Sequence, residues 1–213
     1  MSTRLSLRIH KVKCVDETNG KWVEKVGNDE IYLGGFVVAE NGNTTAIPPI
    51  SIYPHFDDGD VKTFNPPKVF HTINLPAGNW EQPKGFGIGL TLIEKDAGGM
   101  ASAVSKIADF AEKKIKERLA QGEAPRTASA SAAAAVSPLI IIAIEWAAPH
   151  VFDYVRKKLM AAINDDIFTP QIATLSLPSS SFTWSGSTDS AEKTVRFRNH
   201  GGVYDLTYDW KLN

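Results

Sequence analysis

The chain has one cysteine, Cys14, in 213 residues. No intramolecular disulfide can form, which excludes the disulfide framework of a small secreted domain. Charge of one sign is also lacking: 23 basic and 24 acidic residues leave a net charge of −1. With no basic stripe, a surface that tracks nucleic-acid phosphates is not expected. The histidines His10, His55, His71, His150 and His200 stand far apart. None falls in a His-x-x-x-His or Cys-x-x-Cys spacing, so zinc has no support. There is no Gly-x-Ser-x-Gly nucleophile elbow. The pairs Gly34-Gly35, Gly98-Gly99 and Gly201-Gly202 precede no Lys-Ser/Thr and build no dinucleotide fingerprint. No catalytic activity is expected. The N-terminal run MSTRLSLRIHKVK carries charges where a signal peptide needs an apolar stretch. The expectation is a cytoplasmic protein, or one exported without a cleaved signal.

What is present is enough apolar residue for a core. At 43% hydrophobic, a chain of this length folds without metal or disulfide support. Leu5, Leu7 and Ile9 alternate with Ser6, Arg8 and His10, and Val12 and Cys14 resume the alternation one residue out of phase. That pattern predicts a half-buried strand with a bulge near His10-Lys11, and a buried thiol at Cys14. A polar loop over residues 16–28, with Asn19-Gly20 as a turn signal, leads to a second strand at residues 30–40. Gly34-Gly35 inside that strand predict a bulge or a close backbone approach. Asn41-Gly42 predict a hairpin closure. Residues 44–53 read as a third strand, held to a sheet edge by Pro48-Pro49. After an acidic turn (HFDDGD, residues 55–60) come strands at residues 68–75 and 85–94, the second apolar enough to be central.

The period then changes. Met100, Val104, Ile107, Ala111, Ile115 and Leu119 fall at steps of three or four, with Lys and Glu between them, and Gly122 follows as a stop signal. A second helix begins in the alanine run or at Ser137-Pro138 and runs to about Asn164, with a kink expected at Pro149. Its centre, residues 132–152 (AAAAVSPLIIIAIEWAAPHVF), is nearly all apolar. Such a run must be covered, because exposed apolar surface costs about 25 cal/mol per Å². Alternation returns at residues 172–177, 181–184, 194–197 and 203–212. Strands, two helices and strands again predict an α+β chain that is mainly β: an antiparallel β-sandwich with an inserted helical hairpin. Residues 1–96 and 171–213 form the sandwich and residues 97–170 the insertion.

Three stretches resemble, in order, the C2 domain family of calcium-dependent phospholipid-binding sandwiches. LSLRIHKVKCVDETNG followed by NDEIYLGGFVV resembles the family's first strand, acidic loop and next strand. TFNPPKVFHTINL resembles its Leu-Asn-Pro segment, and FGIGLTLIEKD its strand ending in Asp-x-Asp. The resemblance implies a C2-like sandwich and places Asp16, Asp29, Glu94 and Asp96 where the family's Ca²⁺-ligating carboxylates lie. Glu30 stands where the family has proline, and Glu94 where it has aspartate. Ca²⁺ takes about six to eight oxygen ligands, so further groups would have to complete the set.

The hairpin suggests the function. Residues 132–152 are just long enough to span a bilayer, but Glu145 and His150 oppose it, a central carboxylate costing on the order of 3 kcal/mol. Burial in the protein is the plain alternative. The expectation is a non-enzymatic membrane-engaging module, calcium-assisted and toxin-like or pore-forming in one version, whose hairpin meets lipid. The contact residues expected are Leu139, Ile140, Ile142, Ile144, Trp146, Phe152 and Tyr154, beside the basic run Arg156-Lys157-Lys158. The alternative is a structural, self-assembling homo-oligomer whose hairpin makes subunit contacts.

Overall fold

The computed structural model describes residues 2–17, 29–95, 99–121, 139–159, 166–199 and 201–213. The elements are β1 (Arg4–Asp16), β2 (Asp29–Val38), β3 (Thr44–Phe56), β4 (Val61–Asn74) and β5 (Lys84–Glu94). The helices α1 (Met100–Ala120) and α2 (Leu139–Tyr154) follow, then β6 (Asp166–Ile167), β7 (Gln171–Leu177), β8 (Lys193–Asn199) and β9 (Gly202–Leu212). Two antiparallel sheets stack as a sandwich. One has the order β4-β1-β9-β8; the other runs β3-β2-β5-β6, with β7 also paired to β5. Between the sheets lies a core that includes Leu7, Ile9, Cys14, Leu33, Phe56, Leu90, Tyr204 and Trp210. The fold is an antiparallel β-sandwich with two helices inserted after β5.

Local signals explain most of this. The register of β1 shifts between Ile9 and Lys11 against both neighbours, the bulge that the phase change predicts. At the hairpin, Gly42 adopts φ 82° and its N–H donates to Ala39 O at 2.9 Å. β3, carrying Pro48-Pro49, is an edge strand. Differences appear where proline and serine misled. β4 begins at Val61, seven residues before the expected start at Lys68, because an edge strand tolerates Pro66-Pro67. Residues 181–184 form a turn with one isolated bridge, Trp184 to Ser187. α2 continues through Pro149 and closes in a π-helical turn, Val155–Leu159. β6 lies within residues 97–170, the range expected for the insertion, just past the expected end of its second helix. Asn19-Gly20, Gly122, the alanine run, Ser137-Pro138 and Asn164 lie outside the described residues.

The helices do not project from the sandwich. They lie side by side on the outer face of the β2–β5 sheet and form a third layer. That face is prepared by glycine: in GFGIGL the inward residues are Phe86, Ile88 and Leu90, while Gly87 and Gly89 turn outward. A Cβ on Gly87 would stand 2.5 Å from Ile144 Cδ1, and one on Gly34 2.7 Å from Val104 Cγ2. The missing side chains are the seats for the helix side chains. Ile107, Ala111 and Ile115 of α1 and Ile140, Ala143, Ile144, Ala147 and Val151 of α2 fill this second core together with Phe36 and Ile93. Polar contacts fix α1 on the sheet. Thr44 N–H donates to Glu112 Oε2 at 2.7 Å, Thr44 Oγ1 donates to Ala108 O at 2.9 Å, and Lys116 Nζ donates to Glu112 Oε1 at 2.6 Å. Lys116 first, then the Thr44 N–H, hold the Glu112 carboxyl below its usual range.

One atom in this layer is left out. Thr91 is 0% exposed, and its Oγ1 finds no hydrogen-bond partner among the described residues. Thr91→Val keeps the shape and removes the orphaned hydroxyl. It is expected to stabilise the chain by about 1 kcal/mol in urea denaturation.

Candidate functional site

One end of the sandwich gathers acidic residues from separate loops. β1 ends there at Asp16, paired with Val203 of β9; β2 begins there at Asp29, opposite Phe56; β5 ends there at Glu94, opposite Asp166. The β3–β4 turn joins the same end. Glu17 N–H donates to Asp58 Oδ1 at 2.7 Å, Cys14 N–H to Asp60 O at 2.9 Å, and Asp57 N–H to Asp60 Oδ2 at 3.1 Å. Lys95 is a cation among them, 3.3 Å from Glu30 Oε2. The chain thus brings the backbones at Asp16, Asp29 and Glu94 to one edge and adds Asp57, Asp58 and Asp60, which the sequence reading kept apart. Asp96 and the side chain of Asp29 lie outside the described residues. Among the described residues no three His, Cys, Asp or Glu side chains are placed to hold a metal ion.

The hairpin residues divide. Ile140 and Ile144 are 5% and 1% exposed, sealed in the core between α2 and the sheet, which corrects their assignment as contact residues. Each faces inward because α2 turns its most apolar side to the glycine-lined sheet. Leu139 is 61% exposed. Ile142, Trp146, Phe152 and Tyr154 are half-buried on the flank or outer side. Tyr154 stacks on Phe110 of α1 at 4.2 Å, and Trp146 leans on His150 at 4.6 Å. Arg156 and Lys157 both bond Asp153, at 3.0 Å. Among the described residues no helix is long and apolar enough to cross a membrane.

Beside the acidic end, where edge strands β3 and β4 meet, lies a strip of lysine and aromatic side chains. Lys62 Nζ sits 5.5 Å from the Tyr53 ring centroid and 5.9 Å from that of Phe64; Lys68 Nζ sits 5.5 Å from Phe64 and donates to Ser51 O at 3.1 Å. Tyr53 and Phe64 are half-buried against the inter-sheet core. Val61 and Val69, 51% and 52% exposed, lie on the other face of β4, opposite Lys13 and Arg8 of β1. Ammonium groups over ring faces make an amphipathic edge. Sequence reasoning missed it. Lys62 and Phe64 at a spacing of two share a face, but Tyr53 joins them only through the stacking of two sheets.

The opposite face of the β4-β1-β9-β8 sheet is polar and laced with ion pairs. Arg8 bonds Asp209 with two nitrogens and lies 3.3 Å from Asp189; His10 lies between Glu192 and Asp209, at 3.1 and 3.2 Å. Arg196 grips Asp205 with two bonds of 2.6 Å and holds its carboxyl below the usual range. Burial lowers the pKa of His71 and raises that of Tyr208.

No protein-family profile matches the chain, and no curated protein matches it. Among solved structures the chain is similar to human GIVD cytosolic phospholipase A2 in complex with methyl gamma-linolenyl fluorophosphonate. The identity is 10% and the TM-score 0.29, over all of this chain and 17% of that one. The chain therefore spans about a sixth of that protein's length, and at this TM-score the likeness carries no argument for fold or function.

Proposed function

We propose that the chain is a non-enzymatic, C2-like module that binds anionic membrane surfaces, and that its contact is the lysine–aromatic strip between β3 and β4. The observation that supports this is the pairing of Lys62 and Lys68 with Tyr53 and Phe64 where the edge strands β3 and β4 meet. Basic side chains near anionic lipid contribute about 1 kcal/mol each, and aromatic rings settle at headgroup depth. The lipid contact is thereby moved from the hairpin to the sandwich. Pore formation is not part of the reading, because Ile140, Ile144 and their neighbours already form core. Ca²⁺ is proposed only as an aid at the acidic end, and it requires Asp29 and Asp96 to complete a ligand set with Asp16 and Glu94.

Vesicle co-sedimentation tests the reading. Phosphatidylserine vesicles should pellet the wild-type chain, and Lys62→Ala with Lys68→Ala should weaken binding by about tenfold or more at moderate salt. Loss of binding on chelation would assign the larger share to calcium. Equal binding of the double variant would remove the strip from the account.

Self-association is the second reading. It rests on Leu139, Ile142 and Trp146, which fall at helical steps along α2 and are partly or largely exposed. A strictly monomeric mass at high concentration would dispose of it.

A further inference from the structure

At the end of the sandwich away from the acidic turns, two cavities adjoin, of about 600 and about 410 Å³, with Glu40, Pro76 and Gly85 in both walls. The size suits a small organic ligand. The larger is built around Trp80. This indole is half-buried, its Nε1–H donates to Pro76 O at 3.1 Å, and its ring leans on Phe86 at 6.2 Å. With its only donor committed, Trp80 has a fixed ring and offers apolar surface, not hydrogen bonds. Around it in the same wall stand Asn79, Glu81 and Gln82. Among the described residues no hydrogen bond or ion pair engages these three side chains. Glu40 and Lys84 also line the cavity but neutralise each other, at 2.9 Å.

A ligand for this wall needs a flat apolar patch for the indole and a rim of neutral groups that both donate and accept. Amides at Asn79 and Gln82 do both, and the Glu81 carboxylate accepts. A pyranose ring has that form: C–H groups on one face and hydroxyls around its edge. An organic cation fits less well, since Glu40 is spent on Lys84 and one aromatic face does not make a cage. A purely apolar ligand would strand the amides. We propose that the Trp80 cavity is a binding site for a neutral oligosaccharide, with Trp80 as the stacking platform and Asn79, Glu81 and Gln82 as hydroxyl partners. The site is independent of the lipid reading: it lies at the other end of the sandwich and shares no residue with the lysine strip.

The test is calorimetric titration of the full chain with cellohexaose, chitohexaose, maltohexaose and mannohexaose in turn. The indole N–H signals are followed by NMR, and the Trp80 signal is assigned through Trp80→Phe. The expected result is millimolar or tighter binding of at least one sugar, with the Trp80 signal shifted. Affinity should fall by about tenfold or more in Trp80→Ala. Asn79→Ala with Gln82→Ala should produce a comparable loss, and these exposed positions leave the fold intact. Trp146→Ala, on the helix layer, should bind as wild type. Three results would overturn the proposal: no heat and no Trp80 shift with any of the four sugars, sugar binding that survives both sets of wall substitutions, or a Trp80 shift with tetramethylammonium alone.

Discussion

Gly35→Ala is expected to destabilise the chain by about 3 kcal/mol, the upper end of what overpacking costs. The reason is steric. A Cβ at Gly35 would stand 2.1 Å from the carbonyl oxygen of Gly89 and 3.4 Å from Phe70 Cζ. The first of these is backbone of the neighbouring strand and cannot swing aside, so β2 and β5 must part where they pair. Gly59→Ala is the informative comparison. It meets nothing within 4 Å but sits at φ 86°, so only left-handed strain applies, about 1 kcal/mol. Urea denaturation should show the midpoint of Gly35→Ala falling about three times as far, with the slope unchanged. Equal losses at the two positions would mean that the β2–β5 contact is looser than described.

Asp209→Asn is expected to cost about 3 kcal/mol, because it removes the anion that pairs with Arg8 in a covered place. Asp209 is 2% exposed, and it takes two bonds from Arg8 while His10 lies 3.2 Å away. Arg8 retains Asp189 at 3.3 Å, which keeps the loss from reaching the top of the range for broken buried pairs. Removing both partners should cost far less than removing one. Arg8→Met with Asp209→Leu leaves no stranded charge, and its stability should return most of the way to wild type. The measurement is again denaturant unfolding, read as a double-mutant cycle. A double variant as unstable as the sum of the singles would show that the pair contributes through packing and not through charge.

The two predictions mark what the sequence showed and where it stopped. Alternation in residues 5–14 and 203–212 located neighbouring strands of one sheet, and the helical steps from Met100 to Leu119 located α1 within a residue or two. Gly34-Gly35 were legible as a close approach, but not what approached. The pattern of GFGIGL contains the answer in part: glycine every second residue leaves one face of β5 bare, and a bare face invites a covering layer. The apolar run then has its cover inside the chain. Periodicity reports that Ile140 and Ile144 are apolar and share a face; it cannot say whether that face meets sheet, lipid or another chain. The segment at residues 187–192 that brings Asp189 and Glu192 over β1 and β9 has no periodic signal, because its position comes from side-chain pairing.

The candidate site was less legible for a geometric reason. Asp16, Asp29 and Glu94 are grouped only by the resemblance to C2 domains, which implies that they lie at one end of the sandwich. Asp57, Asp58 and Asp60 meet them only through backbone bonds between the β3–β4 turn and the end of β1. Tyr53, Lys62, Phe64 and Lys68 meet across the gap between two sheets. Neither kind of contact leaves a spacing in the chain.

The most direct test of the account attaches a polarity-sensitive dye at Val61→Cys, next to Lys62 along edge strand β4, and separately at Ile142→Cys, on the helix layer. Cys14 is fully buried and should stay unlabelled. On phosphatidylserine vesicles, emission should shift to the blue at position 61 and stay at its aqueous value at position 142. A shift at position 142 with none at position 61 would return the lipid contact to the helices and contradict the account.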